Sequence, residues 1–384
     1  SVGACTSLTI LFTALALGFS IGAGVLVAQY FGAQKLDEVR RIASTSIVLF
    51  LALGAGMSVL GVVLTRPLLA GLLQTPEALL EMAVTYFMIY AAGLIFQFGY
   101  NIAAAILRAI GDSKATLYFL FASSLLNVVL DLLLVAVVKM GVAGAAVATV
   151  FSQLLSCVLS FWYMHKKYEF LRFSPRELRF EPKLARRVLT IGAPMAVQQS
   201  VVSCGFMFMQ RLVNSCGEDM VASFTVGSRI ENYLILPTLS FQSTMATYTG
   251  QNIGAKQPER VSRGLRQVIV LAICITLPLS AVAYFLAPQI IALFAISGQA
   301  AAYCTQHLHL AAWAVLVFTV YFPCNGLLQG AGEGLYATAC AALALGVRVA
   351  LAYLLVKTAL FGVAAIWWSQ LLAWVVTLIF CYCH

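Results

Sequence analysis

The stretch Gly22-Ala23-Gly24-Val25-Leu26-Val27-Ala28-Gln29-Tyr30-Phe31-Gly32-Ala33 ends an apolar run in Gln-x-x-Gly-Ala, with Arg40 and Arg41 close behind. The same ending recurs as Gln251-Asn252-Ile253-Gly254-Ala255, followed by Arg260 and Arg263, at an offset of 222 residues. Two further landmarks keep nearly that offset. Leu107, Gly111 and Asp112 return as Leu328, Gly332 and Glu333, and Gly141-Val142-Ala143 returns as Gly362-Val363-Ala364. Three matches in register describe a duplicated membrane unit.

Composition sets the medium. With 62% hydrophobic residues and 10% charged, and a mean hydropathy of +0.94, there is too little polar surface to cover a soluble globule of 384 residues. The apolar runs are about 20 residues or longer and lack strict alternation, so helices rather than a barrel satisfy the backbone in lipid. The expectation is an all-α, polytopic membrane protein. About eleven spans are read: 7–31, 42–64, 82–106, 116–138, 142–164, 188–214, 221–250, 268–294, 300–328, 336–356 and 363–382.

Basic residues orient the chain. One set of alternate loops holds seventeen Lys and Arg residues, among them Lys35, Arg40, Arg108, Lys166 and Arg260, whereas the other holds Arg66, Lys139, Arg211 and Lys357. The rich side is cytoplasmic, so the net charge of +9 is a topological signal and not a nucleic-acid footprint. The ten cysteines lie mostly within spans and show no CxxC pairing. Cys381-x-Cys383-His384 is only faintly metal-like.

The polar segment from Lys166 to Arg187, with Pro175 and Pro182, reads as a linker between lobes. The expected division is an amino-terminal lobe at 1–167, a basic cytoplasmic linker at 168–187 and a carboxy-terminal lobe at 188–384. Aligning the repeats leaves span 188–214 without a partner, so the expectation is five plus six spans of a pseudo-symmetric six plus six protein whose first helix is missing here. A cleft between lobes related by an axis along the membrane normal is the natural substrate site.

The two Gln-x-x-Gly-Ala motifs, supported by Gly111-Asp112 and Gly332-Glu333, resemble the multidrug and toxic compound extrusion family, the MATE transporters. The resemblance runs over the whole chain. It implies a polyspecific exporter of organic cations, driven by inward sodium or proton movement, whose two lobes open alternately. No GxxxxGK[ST] P-loop, HExxH or Gly-x-Ser-x-Gly occurs, which argues against an ATPase or a membrane-embedded enzyme. No cofactor is expected beyond the coupling ion. The partners expected are small organic cations and the bilayer of a bacterial inner membrane, with the protein a monomer.

Asp131 lies in the middle of span 116–138, where a carboxylate costs about 2.5 to 3.5 kcal/mol on insertion scales, so it should face the bundle interior. Asn127 is one turn earlier on the same face. Thr149 returns to a similar depth after the turn near Lys139 and Met140, roughly 12 Å below it. The resemblance implies that Asn127, Asp131 and Thr149 match the family's amino-terminal-lobe cation site, as oxygen ligands for sodium or as a proton-exchanging carboxyl. The family's further Asp on the first helix has no counterpart in this chain.

Glu231 lies about a dozen residues into its span, with Arg229 on the opposite side of the helix. It either attracts a cation in the cleft or pairs with another helix. Arg348 occupies the repeat position of Asn127, and Ala352 that of Asp131, so the second lobe has lost the acidic pocket. Arg348 is read as a salt-bridge partner, with Glu231 a candidate, or as a substrate contact. Gln198, Gln199, Gln97 and Asn101 are read as cleft amides or as interhelical hydrogen bonds. Tyr90, Phe98, Tyr233, Trp313 and Tyr321 are among the rings available to flat cations. Pro194, Pro237 and Pro323 should bend their spans. The rival reading is a flippase for a lipid-linked precursor, which should need a cleft with many basic residues, where only Arg229 and Arg348 are available.

Overall fold

The turns that close the repeated motifs are built alike. In a computed structural model of the protein, Gln34 and Lys256 both take left-handed backbone, at φ 58° and 57°. Lys35 N donates to Tyr30 O at 3.0 Å, and Gln257 N donates to Asn252 O at 2.9 Å. Gly111 and Gly332 form a second matched pair, at φ +94° and +92°. There Asp112 N donates to Leu107 O and Glu333 N to Leu328 O, both at 2.9 Å. Each is a Schellman closure, which satisfies the last carbonyls of a helix where no later turn can do so. The repeat is therefore a repeat of backbone geometry as well as of letters.

The structure describes residues 2–72, 77–174, 177–294, 296–356 and 364–382. Pro175, Arg176, Lys357, Gly362, Val363, Cys383 and His384 lie outside them, so the second Gly-Val-Ala landmark and the terminal Cys-His pattern are not described. Among the described residues all regular structure is helical. The helices are α1 (Val2–Gly32), α2 (Leu36–Pro67), α3 (Glu77–Ala92), α4 (Leu94–Ala109), α5 (Ser113–Asp131), α6 (Gly141–Lys167), α7 (Pro182–Asn214), α8 (Glu218–Gly254), α9 (Pro258–Phe285), α10 (Ala287–Ala292), α11 (Gly298–Ala331), α12 (Gly334–Leu355) and α13 (Ala365–Tyr382). Eight are long and apolar enough to cross a membrane, and α3 with α4 makes a ninth if the bent pair is one span. Among the described residues, then, eight or nine of the eleven expected spans pass as membrane-crossing; α8, on the span read at 221–250, does not, and α13, on the last span, is a shorter apolar helix.

Three spans differ from expectation in detail. The span read at 82–106 is broken at Gly93, where α3 and α4 meet at 43°. A Cβ on Gly93 would lie 2.5 Å from the Val150 side chain, so α6 packs against bare backbone at the bend. The span read at 116–138 leaves α-helix after Asp131 and continues as a π-helix, Leu132–Val137. The span read at 268–294 is interrupted after Phe285, and α10 follows. Pro194, Pro237 and Pro323 sit inside α7, α8 and α11, each of which continues through its proline.

Two compact units divide the chain, residues 1–196 and 197–384, and the division falls within α7. In the first unit, α1, α2 and α4 enclose Leu26, Ile42, Phe50, Phe98, Ile102 and Ile106. Much of the segment read as a linker is packed there as well: Leu171 and Leu184 are buried in the same cluster, and residues 182–187 already belong to α7. Its polar groups are tied to the start of α2. Arg41 meets Glu38 at 2.8 Å and Glu181 at 2.6 Å, and Arg40 meets Glu177 at 3.2 Å. Arg179 N donates to Ser44 Oγ at 2.7 Å. The charged pairs are exposed and worth little each; the buried leucines do the anchoring.

In the second unit, α8 and α11 are the closest neighbours, and Gly326 and Gly330 explain why. A Cβ at Gly326 would lie 2.3 Å from Gln242 O, and one at Gly330 would lie 2.2 Å from Ala246 O. Glycines four residues apart let two backbones touch, which matters in lipid, where dispersion rather than water exclusion joins helices. We therefore expect Gly330→Leu to lower stability in detergent by about 1 to 3 kcal/mol or more through overpacking. Gly346→Ala, where a Cβ meets nothing within 4 Å, should leave thermal melting unchanged or raise it.

Candidate functional site

On α5, Asn127 and Asp131 share one helix face, as their spacing requires. Asp131 Oδ1 and Asn127 Nδ2 are shielded from solvent and have no hydrogen-bond partner among the described residues. Unpaired buried polar atoms are costly, and in lipid no water is at hand to relieve them. Asp131 is also the last α-helical residue before Leu132–Val137, and such π-turns cluster at functional positions because they re-aim side chains. On α6, which packs against α5, Thr149 Oγ1 donates to Ala145 O at 3.0 Å and keeps lone pairs free. Gln153, one turn further, has an unpartnered buried Oε1. Sequence reasoning missed Gln153, although its spacing of four from Thr149 signals it.

The amides Gln97 and Asn101 have partners inside the first unit. Gln97 Nε2 donates to Thr13 Oγ1 at 2.8 Å and Tyr90 Oη donates to Gln97 Oε1 at 3.1 Å. Asn101 Nδ2 donates to Gln97 O at 2.8 Å. These bonds join α1, α3 and α4 across the break at Gly93. Tyr90, Phe98 and Tyr321 are buried inside their units, whereas Tyr233 and Trp313 are exposed.

In the second unit the polar groups form two clusters. Around Asn325 of α11, Gln198, Gln242 and Gln329 each donate to Oδ1, at 3.4, 2.9 and 2.9 Å. Gln198 also donates to Ala337 O at 3.3 Å. Gln199 is half-buried. The second cluster holds Glu231 and Arg348, which do not pair directly. Arg348 Nη2 donates to Gln370 Oε1 at 2.8 Å, and Gln370 Nε2 donates to Glu231 Oε1. His307 Nε2 lies 3.0 Å from Glu231 Oε2. Arg229 is exposed and outside the cluster. His307 and Gln370 were not singled out in the sequence as partners of Glu231, because the bonds join residues 76 and 139 positions apart.

At the end of α4, outside the spans, Asp112 caps α5. Its carboxylate accepts from Ala115 N at 3.3 Å, Tyr163 Oη at 2.8 Å, Lys167 Nζ at 2.7 Å and Tyr168 Oη at 2.6 Å. Its repeat counterpart Glu333 makes no side-chain cap on α12. Burial pushes the Asp112 carboxyl up, but the Lys167 ammonium, the two phenols and the amide outweigh it and hold the group at about 2.

The comparisons with known proteins bear on these helices as a whole. The MatE family model matches residues 1–133 and 194–354. The chain belongs to the MatE family. A probable multidrug resistance protein of Bacillus subtilis (strain 168), YpnP, is 31% identical to this MatE chain over 332 residues, 86% of the chain and 74% of that relative. A second from the same strain, YoeA, is 26% identical over 380 residues, 97% of the chain and 82% of the relative. Among solved structures, an outward-facing multidrug resistance MATE transporter matches with a TM-score of 0.93 at 24% identity, covering 98% of the MatE chain and 85% of its own.

The Asp112 junction carries a prediction. Because the folded carboxyl is held below its ordinary 3.8, its contribution is fully present above about pH 4 and lost as pH falls through about 2. Asp112→Asn should lower stability at pH 7 by about 1 to 2 kcal/mol, allowing for partly hydrated partners. The variant's deficit should vanish at the acid end of a pH series of thermal melts.

Proposed function

We propose that the protein is a cation-coupled antiporter that exports amphipathic organic cations across a bacterial inner membrane, with Asp131, Asn127 and Thr149 as the coupling-ion site. The observation that carries this reading is the buried, unpartnered carboxylate oxygen Asp131 Oδ1 on α5, with Asn127 one turn away on the same face. A carboxylate in hydrocarbon with no internal partner is poised for a ligand from outside. Hard oxygen donors of carboxylate, amide and hydroxyl suit sodium, and the same carboxylate can carry a proton. The family and the names of its relatives, which are called multidrug resistance proteins, supply the substrate class.

Binding of the ion at Asp131 drives transport only through its different affinity for the two lobe arrangements. Proton or sodium taken up from outside favours one arrangement, and drug bound from the cytoplasm favours the other. Ion and drug therefore compete through the protein's conformational equilibrium rather than by contact. The protein acts as a monomer, with no cofactor beyond the ion.

The test is export of ethidium from proteoliposomes under an imposed proton or sodium gradient. Wild type should export with at least one gradient. Asp131→Asn should fall to the level of empty liposomes while keeping its elution volume and melting temperature. Full export by that variant would sink the assignment.

A further inference from the structure

Glu231, His307, Gln370 and Arg348 come from four helices, α8, α11, α13 and α12, and their hydrogen bonds fix one another in order. Arginine only donates, so Arg348 turns the Gln370 carbonyl toward itself and the Gln370 amide nitrogen toward Glu231. Glu231 must therefore accept at Oε1. Its Oε2 faces His307 Nε2 at 3.0 Å, and a carboxylate there requires the imidazole to donate from Nε2. This leaves His307 Nδ1 as a bare lone pair. That atom is buried without a partner, in a residue that is 2% exposed.

The surroundings are built for this ring. A Cβ on Gly227 would lie 2.1 Å from Nδ1, so only glycine admits the imidazole against α8. Trp367 stacks on the other face, with centroids 4.0 Å apart and planes 6° from parallel, and Phe224 stacks on Trp367 in turn. An indole face is the best aromatic partner for a cation. Arg348 and Glu231 balance each other in charge, so the protonation state of His307 decides whether the cluster is neutral or singly positive.

We propose that Glu231 and His307 form a proton-binding site in the carboxy-terminal unit. One proton from water adds to the Nδ1 lone pair, giving an imidazolium held between the Glu231 carboxylate and the Trp367 face, and the same proton is lost in return. The formal charges facing the pair are few. α8 supplies Glu231, with Arg229 pointing away and exposed; α12 supplies Arg348; α13 supplies only neutral Gln370 and Trp367. On α11, Tyr303 and Cys304 lie one turn earlier, and His309 stacks on Tyr284 of α9 at 4.3 Å. The charged residues of α9, Glu259 to Arg266, lie roughly 27 Å of helix before Tyr284. The role of this site in export rests on the antiporter reading above, but proton binding at it does not.

Trp367 reports the site directly, because an imidazolium stacked on an indole quenches its emission. Purified protein in nanodiscs, carrying Trp162→Phe to silence the indole near His165, is titrated from pH 9 to 5 in potassium chloride and again in sodium chloride. We expect a reversible loss of emission on acidification, up to the share of one indole among the remaining four, with the same curve in both salts. His307→Gln should abolish it, and Glu231→Gln, which removes the carboxylate facing His307 Nε2, should displace the curve. A quench that survives His307→Gln, or one that follows sodium, overturns the proposal. Should His307→Gln fail to fold by thermal melting, Trp367→Phe serves instead: it keeps the imidazole and removes the reporter, so a quench that persists in it overturns the proposal. Ethidium export by the same samples separates the two readings. Absent export in wild type with an intact quench rejects the antiporter and keeps the proton site, whereas export with no quench does the reverse.

Discussion

Every polar atom that a helix carries into hydrocarbon must find a partner within the protein, because lipid offers none. Most atoms in this molecule obey by local means. Serine and threonine hydroxyls return to carbonyls three or four residues back, as Thr65, Ser152, Thr276 and Thr319 do. Longer polar side chains must reach other helices, and those reaches determine which helices touch: Gln97 to α1, Gln242 to α11, Gln370 to α8. Packing then follows the smallest residues. Gly326 and Gly330 bring α11 onto α8 closely enough for Gln242 and Asn325 to meet.

The duplicated chain solves this constraint twice, with different residues. Close approach in the first unit uses Gly24 against Ala105, where a Cβ on the glycine would lie 3.6 Å from the Ala105 Cβ. At the corresponding positions of the second unit Gly24 becomes Ala246 and Ala105 becomes Gly326, so the glycine sits on the other helix, where Gly326 meets Gln242 and Gly330, one turn on, meets Ala246. The polar sites have diverged further. Where the first unit has Asn127 and Asp131, the second has Arg348 and Ala352. A fixed cation at the first of these positions demands an anion, and Glu231 supplies it through Gln370. The exchange of an amide for a guanidinium thus reorganises four helices around a new carboxylate.

Much of this was legible in the letters. The Gln-x-x-Gly-Ala endings and the glycines at 111 and 332 announced matched helix closures, since Schellman turns need a residue that tolerates positive φ. Asp131 announced itself by cost alone. What sequence could not give was set by contacts between distant segments. The break at Gly93 depends on Val150 of α6, and the docking of residues 168–174 and 177–181 on α2 depends on Leu171 reaching a core whose other members lie far away in the chain. The π-turn after Asp131 has no proline or glycine to mark it. His307 and His309, two positions apart, point away from each other on a helix, and the partner of His307 sits on α8, 76 positions earlier.

The two sites also differ in what their unsatisfied atoms ask for. In the first unit the atom left over is a carboxylate oxygen, Asp131 Oδ1, and an acceptor without a donor is suited to a cation in the site proposed above. In the second, each carboxylate oxygen already has a partner, His307 or Gln370, and the atom left over is an imidazole nitrogen packed against Gly227. No metal ion could approach a nitrogen so closely covered, whereas a proton adds to a lone pair without needing room. Sterics alone therefore set the two proposed sites apart, and Gly227 is the residue on which that difference rests.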